Sequence, residues 1–245
     1  MTSQPQVNGG RVLNLNSGAT FQGNGLFLSG GTLNVAAGQT FASIGERTAA
    51  NTVISDNAIN GGTFNNAGIF VQDSGTRLVG GNTVLNQTTV SAIFNNSGTV
   101  DVKSGHLVFN NSFAMLSNGS GLDLAIGALV NTNFDVNATA TLDGTIGLNF
   151  GFRPAVGQII TVFDYNNHIG TFDSVVGEGL ASGFVFTPIY NAGNFQVEVA
   201  AVPEPHTYAL MLVGLILLAW AVRQPRKTKQ LRGDESAKQA QPNIL

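Results

Sequence analysis

Asn14, Asn34, Asp101, Asp123 and Asp135 each stand between two apolar residues in a pattern that recurs along the chain. If the repeats stack, these five line up as an outward column, asparagine first and aspartate towards the C-terminus. Such a column could bind Ca²⁺ weakly or hydrogen-bond sugar hydroxyls. A solvated strand face carrying asparagine ladders is the plainer expectation, because carboxylates in successive repeats repel. Other chemistry is sparse. There is no Cys, and His106, His168 and His206 are scattered, so no metal centre and no cofactor is expected. Cleavage of a polysaccharide needs clustered carboxylates, usually with Arg or Lys as base or charge clamp. The chain before the basic tail has five basic residues, spread from Arg11 to Arg153, and Asp164, Asp173 and Glu178 read as solvated loop acids. The protein is therefore expected to be non-enzymatic. A carbohydrate-active enzyme is the alternative, and three carboxylates, or two with an Arg or Lys, converging in one groove would favour it.

The elements that hold these residues must be short strands. The chain has 31 Gly and 26 Asn among its 245 residues, too much turn chemistry for a helical protein. An apolar fraction of 43% supplies a core, which argues against disorder. The repeat reads apolar, any, apolar, two residues, Gly, two residues, apolar. It runs through Leu13, Leu15, Gly18, Phe21; Leu33, Val35, Gly38, Phe41; Val100, Val102, Gly105, Val108; and Leu122, Leu124, Gly127, Val130. Incomplete copies begin at Phe70, with Gln72 at the second apolar place, Gly75 and Leu78, and at Phe134. Period-two alternation sends Leu13 and Leu15 inward and Asn14 outward, and the glycine supplies the positive φ of a corner. No single coil buries its apolar face, so coils must stack. The expected fold is all-β: a parallel β-helix (β-solenoid) over 1–150, with an antiparallel β-sandwich as the runner-up.

From Gly151 the pattern lengthens. Ile159–Tyr165, Gly170–Phe172, Phe184–Tyr190 and Phe195–Val199 read as longer strands, and Asn191-Ala-Gly-Asn194 reads as a hairpin loop. The segment 151–200 is expected to cap the stack, covering an edge that would otherwise template aggregation. It resembles the closing segment of autotransporter-like β-helices.

Charge divides the chain. Six of the 11 Lys and Arg follow Val222, which leaves the first 222 residues at about −7 and unsuited to nucleic acid. Ahead of the basic cluster lies the charge-free run Tyr208 to Val222, expected to be a transmembrane helix over 205–222. Arg223, Arg226 and Lys227 would hold its cytoplasmic end, followed by a polar cytoplasmic tail, 228–245. Before the run stand Pro203, Glu204 and Pro205. Both prolines fix φ, and Pro205 drives Glu204 towards extended backbone, a form suited to a protease. The order Pro-Glu-Pro, short apolar helix, basic cluster over 201–227 resembles the PEP-CTERM sorting signal of Gram-negative bacteria, with Thr207, Tyr208, Ala209, Leu210 and Gly214 also fitting. The resemblance implies export, anchorage in the inner membrane, processing by an exosortase, and display at the cell surface or in exopolysaccharide. His206 and the long polar tail depart from that pattern. Residues 1–10 show no basic n-region and no apolar h-region, so coding sequence upstream of Met1 is expected, and a fragment of a larger adhesin is a further alternative.

Overall fold

The computed structural model describes residues 5–22, 25–44, 51–55, 62–117, 119–127, 134–178, 183–202 and 205–223. The chain divides into two compact units, Met1–Val202 and Pro203–Leu245. Within the first unit, strands follow one another at short intervals. The first turn of chain holds β1 (Val12–Leu15), β2 (Ala19–Phe21) and β3 (Gly25–Phe27), and the second β4 (Thr32–Val35), β5 (Thr40–Ser43) and β6 (Asn51–Ser55). The third holds β7 (Thr63–Asn66), β8 (Ile69–Asp73), an inserted pair β9 (Thr76–Val79) and β10 (Asn82–Leu85), and β11 (Gln87–Val90). Next come β12 (Ile93–Asn96), β13 (Thr99–Ser104), β14 (His106–Phe109), β15 (Phe113–Met115), β16 (Gly121–Ile126) and β17 (Phe134–Leu142). The unit ends with β18 (Thr145–Phe150), β19 (Ile159–Gly170), β20 (Ser174–Glu178), β21 (Phe184–Tyr190) and β22 (Asn194–Ala201).

These strands form three rows. One runs β1-β4-β7-β12-β15-β17, the second β2-β5-β8-β13-β16-β18-β20, and the third β3-β6-β11-β14-β17-β19. Every pairing along the rows is parallel, which is where the antiparallel sandwich fails. β17 belongs to two rows, pairing β14 through Phe134–Val136 and β15 through Ala140 and Thr141.

Alternation fixes which side chains go inside. Phe41, Phe70, Val100, Leu122 and Ile146 follow one another in register along the second row, and each is buried. Leu33, Phe64, Phe94 and Phe113 do the same on the first row. Each such side chain contributes about 1.5–3 kcal/mol by leaving water. The rows share one interior, since Phe64 lies 5.6 Å from Phe70 and 5.0 Å from Phe94, and Phe94 lies 5.0 Å from Phe109 of the third row. Leu13, in the outermost strand of its row, is 41% exposed because it has an inner neighbour only.

The corners correct two expectations. Gly38 and Gly105 do take positive φ (74° and 82°), but neither Gly18 nor Gly127 is among the positive-φ glycines of the described residues. At Asn-Ala-Gly (66–68) and Asn-Ser-Gly (96–98) the need is space. A Cβ on Gly98 would lie 2.0 Å from the Gly68 carbonyl, and one on Gly68 2.2 Å from the Gln39 carbonyl. The other correction is β9–β10, an antiparallel hairpin whose Gly80 and Gly81 both have positive φ (57° and 85°), as a two-residue type I′ turn requires. Leu78, expected to close a repeat inside, stands on that hairpin and is 74% exposed.

Parallel pairing continues past residue 151, since β19 pairs β17 and β20 pairs β18. The closing element is the antiparallel pair β21–β22, laid against the first half of β19. Asn191 and Asn194 close its loop, with the Asn191 N–H donating to the Asn194 carbonyl at 3.0 Å. Pro188 is tolerated because β21 is an edge strand that pairs only β22. At the other end Val7 is buried, its N–H donating to the Phe27 carbonyl at 2.8 Å, so residues 5–8 lie along β3.

The second unit contains α1 (Pro205–Arg223), which opens on a proline whose missing N–H would have had no intrahelical partner. The expectation of a transmembrane helix is corrected: among the described residues no helix is long and apolar enough to cross a membrane. The side chains from Tyr208 to Val222 are apolar and largely exposed all round, Leu210 at 72% and Val222 at 84%. Arg223 ends the helix, where a cation meets the carbonyl end favourably.

Candidate functional site

The five residues expected to share one column stand on three different rows. Asn14 and Asn34 are register partners on the first, Asp101 and Asp123 on the second, and Asp135 on the third, opposite Asp164. The reason is the ambiguity of the repeat: every strand of every row alternates in the same way and ends in a corner. The pattern starting at Leu13 begins on the first row, the one starting at Val100 on the second, and the one starting at Phe134 on the third.

On the first row the asparagine column is real and longer than expected. The amide Nδ2 of Asn34 donates to Asn14 Oδ1 at 2.7 Å, that of Asn65 to Asn34 Oδ1 at 2.8 Å, and that of Asn95 to Asn65 Oδ1 at 2.9 Å. The rungs are 20, 31 and 30 residues apart in the chain, so the ladder holds the register across coils of unequal length. Asn65 and Asn95 were missed because Asn66 and Asn96 follow them where an apolar residue is demanded. Those two point inward, are buried, and bond each other, Asn66 Nδ2 to Asn96 Oδ1 at 2.8 Å. Gln72 also points inward, and its Nε2 donates to Ser74 Oγ at 2.7 Å beneath the β9–β10 hairpin. Ser74 and Asn86 clamp the hairpin base, with Asn86 Nδ2 donating to the Ser74 carbonyl at 2.7 Å.

On the second row Asp101, Asp123, Gly147 and Val176 stand in register. They line a groove of about 510 Å³ together with Lys103, Thr145 and Asn149. Lys103 Nζ lies 3.5 Å from an oxygen of Asp101. Two carboxylates and a lysine thus converge in one groove, the arrangement named above as the mark of the carbohydrate-active alternative. On the third row His106 Nε2 lies 2.7 Å from Asp135 Oδ2, and Asp135 Oδ1 accepts the Asp164 N–H at 3.2 Å. Partial burial, and then the Asp135 carboxylate, raise the pKa of Asp164. Nearby, the Tyr165 hydroxyl donates to the carbonyls of Asn191 and Asn194 at 2.8 and 2.9 Å, tying β19 to the closing hairpin. Burial, and then Tyr190, push that phenol up to about 12. Among the described residues no group of three or more His, Cys, Asp or Glu is placed to hold a metal ion.

Of the sorting residues, Pro205 and Arg223 open and close α1, whereas Pro203, Glu204, Arg226 and Lys227 lie outside the described residues. No curated protein and no solved structure matches the chain. The family of the PEP-CTERM protein-sorting motif matches residues 201–227, the stretch that holds the Pro-Glu-Pro segment, α1 and the basic cluster, and this supports an exosortase substrate directed to the cell surface.

Proposed function

We propose that the protein is an exported, non-enzymatic component of the cell surface or the extracellular matrix, processed by exosortase at its C-terminal motif. The body is a parallel β-solenoid displayed after that step, in association with exopolysaccharide. The match over 201–227 carries the reading. The division of the chain at Val202 and Pro203 supports it, since a cut in the Pro-Glu-Pro region frees the strand-bearing unit whole. Parallel rows around one aromatic-rich interior, with an asparagine ladder on the first row, make a rod suited to display. Residues 5–8 at one end and β21–β22 at the other pair edges of the third row that would recruit further strands. Mass spectrometry of the mature protein from an exosortase-containing host tests the processing. The peptides from Tyr208 onward are expected to be missing, and Glu204→Ala is expected to leave the chain intact.

The groove holding Asp101, Lys103 and Asp123 favours a second reading, a carbohydrate-active enzyme on the same fold. Release of new reducing ends or unsaturated uronates from polysaccharides by the purified chain, abolished by Asp123→Asn, would establish it over display.

A further inference from the structure

We propose that the second-row groove centred on Gly147 binds an extended, uncharged, hydroxyl-rich glycan. This rests on the reading of a matrix-displayed protein and supplies that reading with a place of contact. Gly147 lies in the middle of β18 and is not among the positive-φ glycines, so the backbone does not require glycine there. What glycine provides is room. A Cβ at this position would lie 2.2 Å from Asp123 Oδ1, so the Asp123 carboxylate reaches over Gly147 from the neighbouring coil.

The side chains around this notch are of the kinds that recognise sugars. Asp101 and Asp123 accept hydrogen bonds, Lys103 donates, and Asn149 and Thr145 do both, so together they match hydroxyls that are donors and acceptors at once. Ala125 and Val176 offer apolar surface for the C–H faces of a ring, and Val176 is 50% exposed. The groove continues into a second hollow of about 350 Å³ that shares Lys103, Ala125 and Asn149 and reaches Thr76 and Leu85 of the hairpin. The site is therefore elongated. Register partners on adjacent strands recur about every 4.8 Å, close to the advance of one sugar ring in an extended chain. Charge selects among glycans: the groove carries two carboxylates to one ammonium, and the first 222 residues carry about −7, so uronate-rich chains are repelled.

The test applies the full-length chain to an array of uncharged hexasaccharides (glucans, galactans, mannans) and uronate oligomers (galacturonate, alginate), followed by calorimetry on the best binder. Binding to an uncharged hexasaccharide, weakened at least tenfold by both Gly147→Val and Asn149→Ala with unchanged circular dichroism, is the expected result. Asn149→Ala serves as the milder variant should Gly147→Val disturb the strand. Failure to bind any uncharged glycan, preference for uronates, or binding unaffected by either variant would overturn the proposal. Shortening of the bound glycan would support the groove and overturn the non-enzymatic reading. Cleavage of the C-terminal motif is read separately by mass spectrometry, so the groove and the sorting assignment fail independently.

Discussion

Asn65→Ala removes the middle of the first-row ladder. Asn65 donates to Asn34 at 2.8 Å and accepts from Asn95 at 2.9 Å, so its loss breaks two side-chain hydrogen bonds, whereas Asn14→Ala breaks the one that Asn14 accepts from Asn34 at 2.7 Å. A hydrogen bond of this type contributes about 0.5–1.5 kcal/mol net, and water replaces part of it because Asn65 is only half-buried and Asn14 is exposed. The middle substitution should therefore cost about 1–3 kcal/mol and the end one about half of that. For a domain of roughly 200 residues each kcal/mol lowers the melting temperature by about 2–4 °C, so a drop of a few to about ten degrees is expected for Asn65→Ala. Far-ultraviolet circular dichroism melts of the full chain measure both. If Asn65→Ala is no worse than Asn14→Ala, the rungs do not communicate, and in-register parallel stacking is not what orders this face.

The inward and outward positions of one strand give a sharper contrast. Val100 is fully buried between Phe70 and Leu122, and Val100→Asp should cost several kcal/mol by burying a carboxylate without a partner. Asp101→Asn loses only a half-exposed pair with Lys103 and should be nearly silent in the same melts. Because Asp164 is raised, the native chain keeps its proton to higher pH than the unfolded chain does. Stability is then full below the ordinary carboxylate value and falls as pH rises through the raised one. Asp164→Asn should flatten that fall in melts from pH 3 to 7; an unchanged slope would contradict it. Ultraviolet titration should show one phenol ionising only at about pH 12, and Tyr165→Phe should remove that step.

The alternation Leu33-Asn34-Val35 and the closing hairpin at Asn191-Ala-Gly-Asn194 were legible in the sequence, because a period of two and a turn signal are local properties. Which row a strand joins is not local. Val100 and Leu13 look alike until stacking places one beside Phe70 and the other beside Leu33. The asparagine column was legible at Asn14 and Asn34 but assigned onward to Asp101 and Asp135, since inward Asn66 and Asn96 broke the apolar pattern beside the true next rungs. Those two are accommodated inside because each Nδ2 finds partners there, Asn66 Nδ2 also reaching the Thr99 carbonyl at 2.9 Å and Asn96 Nδ2 the Gly98 carbonyl at 3.1 Å, although Asn66 Oδ1 is left without one. The groove went unread for the same reason. Joining Asp101 and Asp123 to Gly147 needs the vertical register, and Gly147 itself carries no side chain to attract notice. The sorting motif was fully legible because its chemistry is contiguous, whereas the step from an apolar run to a membrane span was not, since among the described residues no helix is long and apolar enough to cross a membrane.

We propose that residues 201–227 deliver the chain to exosortase and that the strand-bearing unit is what remains. C-terminal peptide mass spectrometry of the protein recovered from the surface of an exosortase-containing host measures this directly. A mature C-terminus ahead of Tyr208 is expected in the wild type, and an intact Leu245 terminus for Glu204→Ala. Surface protein that still ends at Leu245 in the wild type would contradict it.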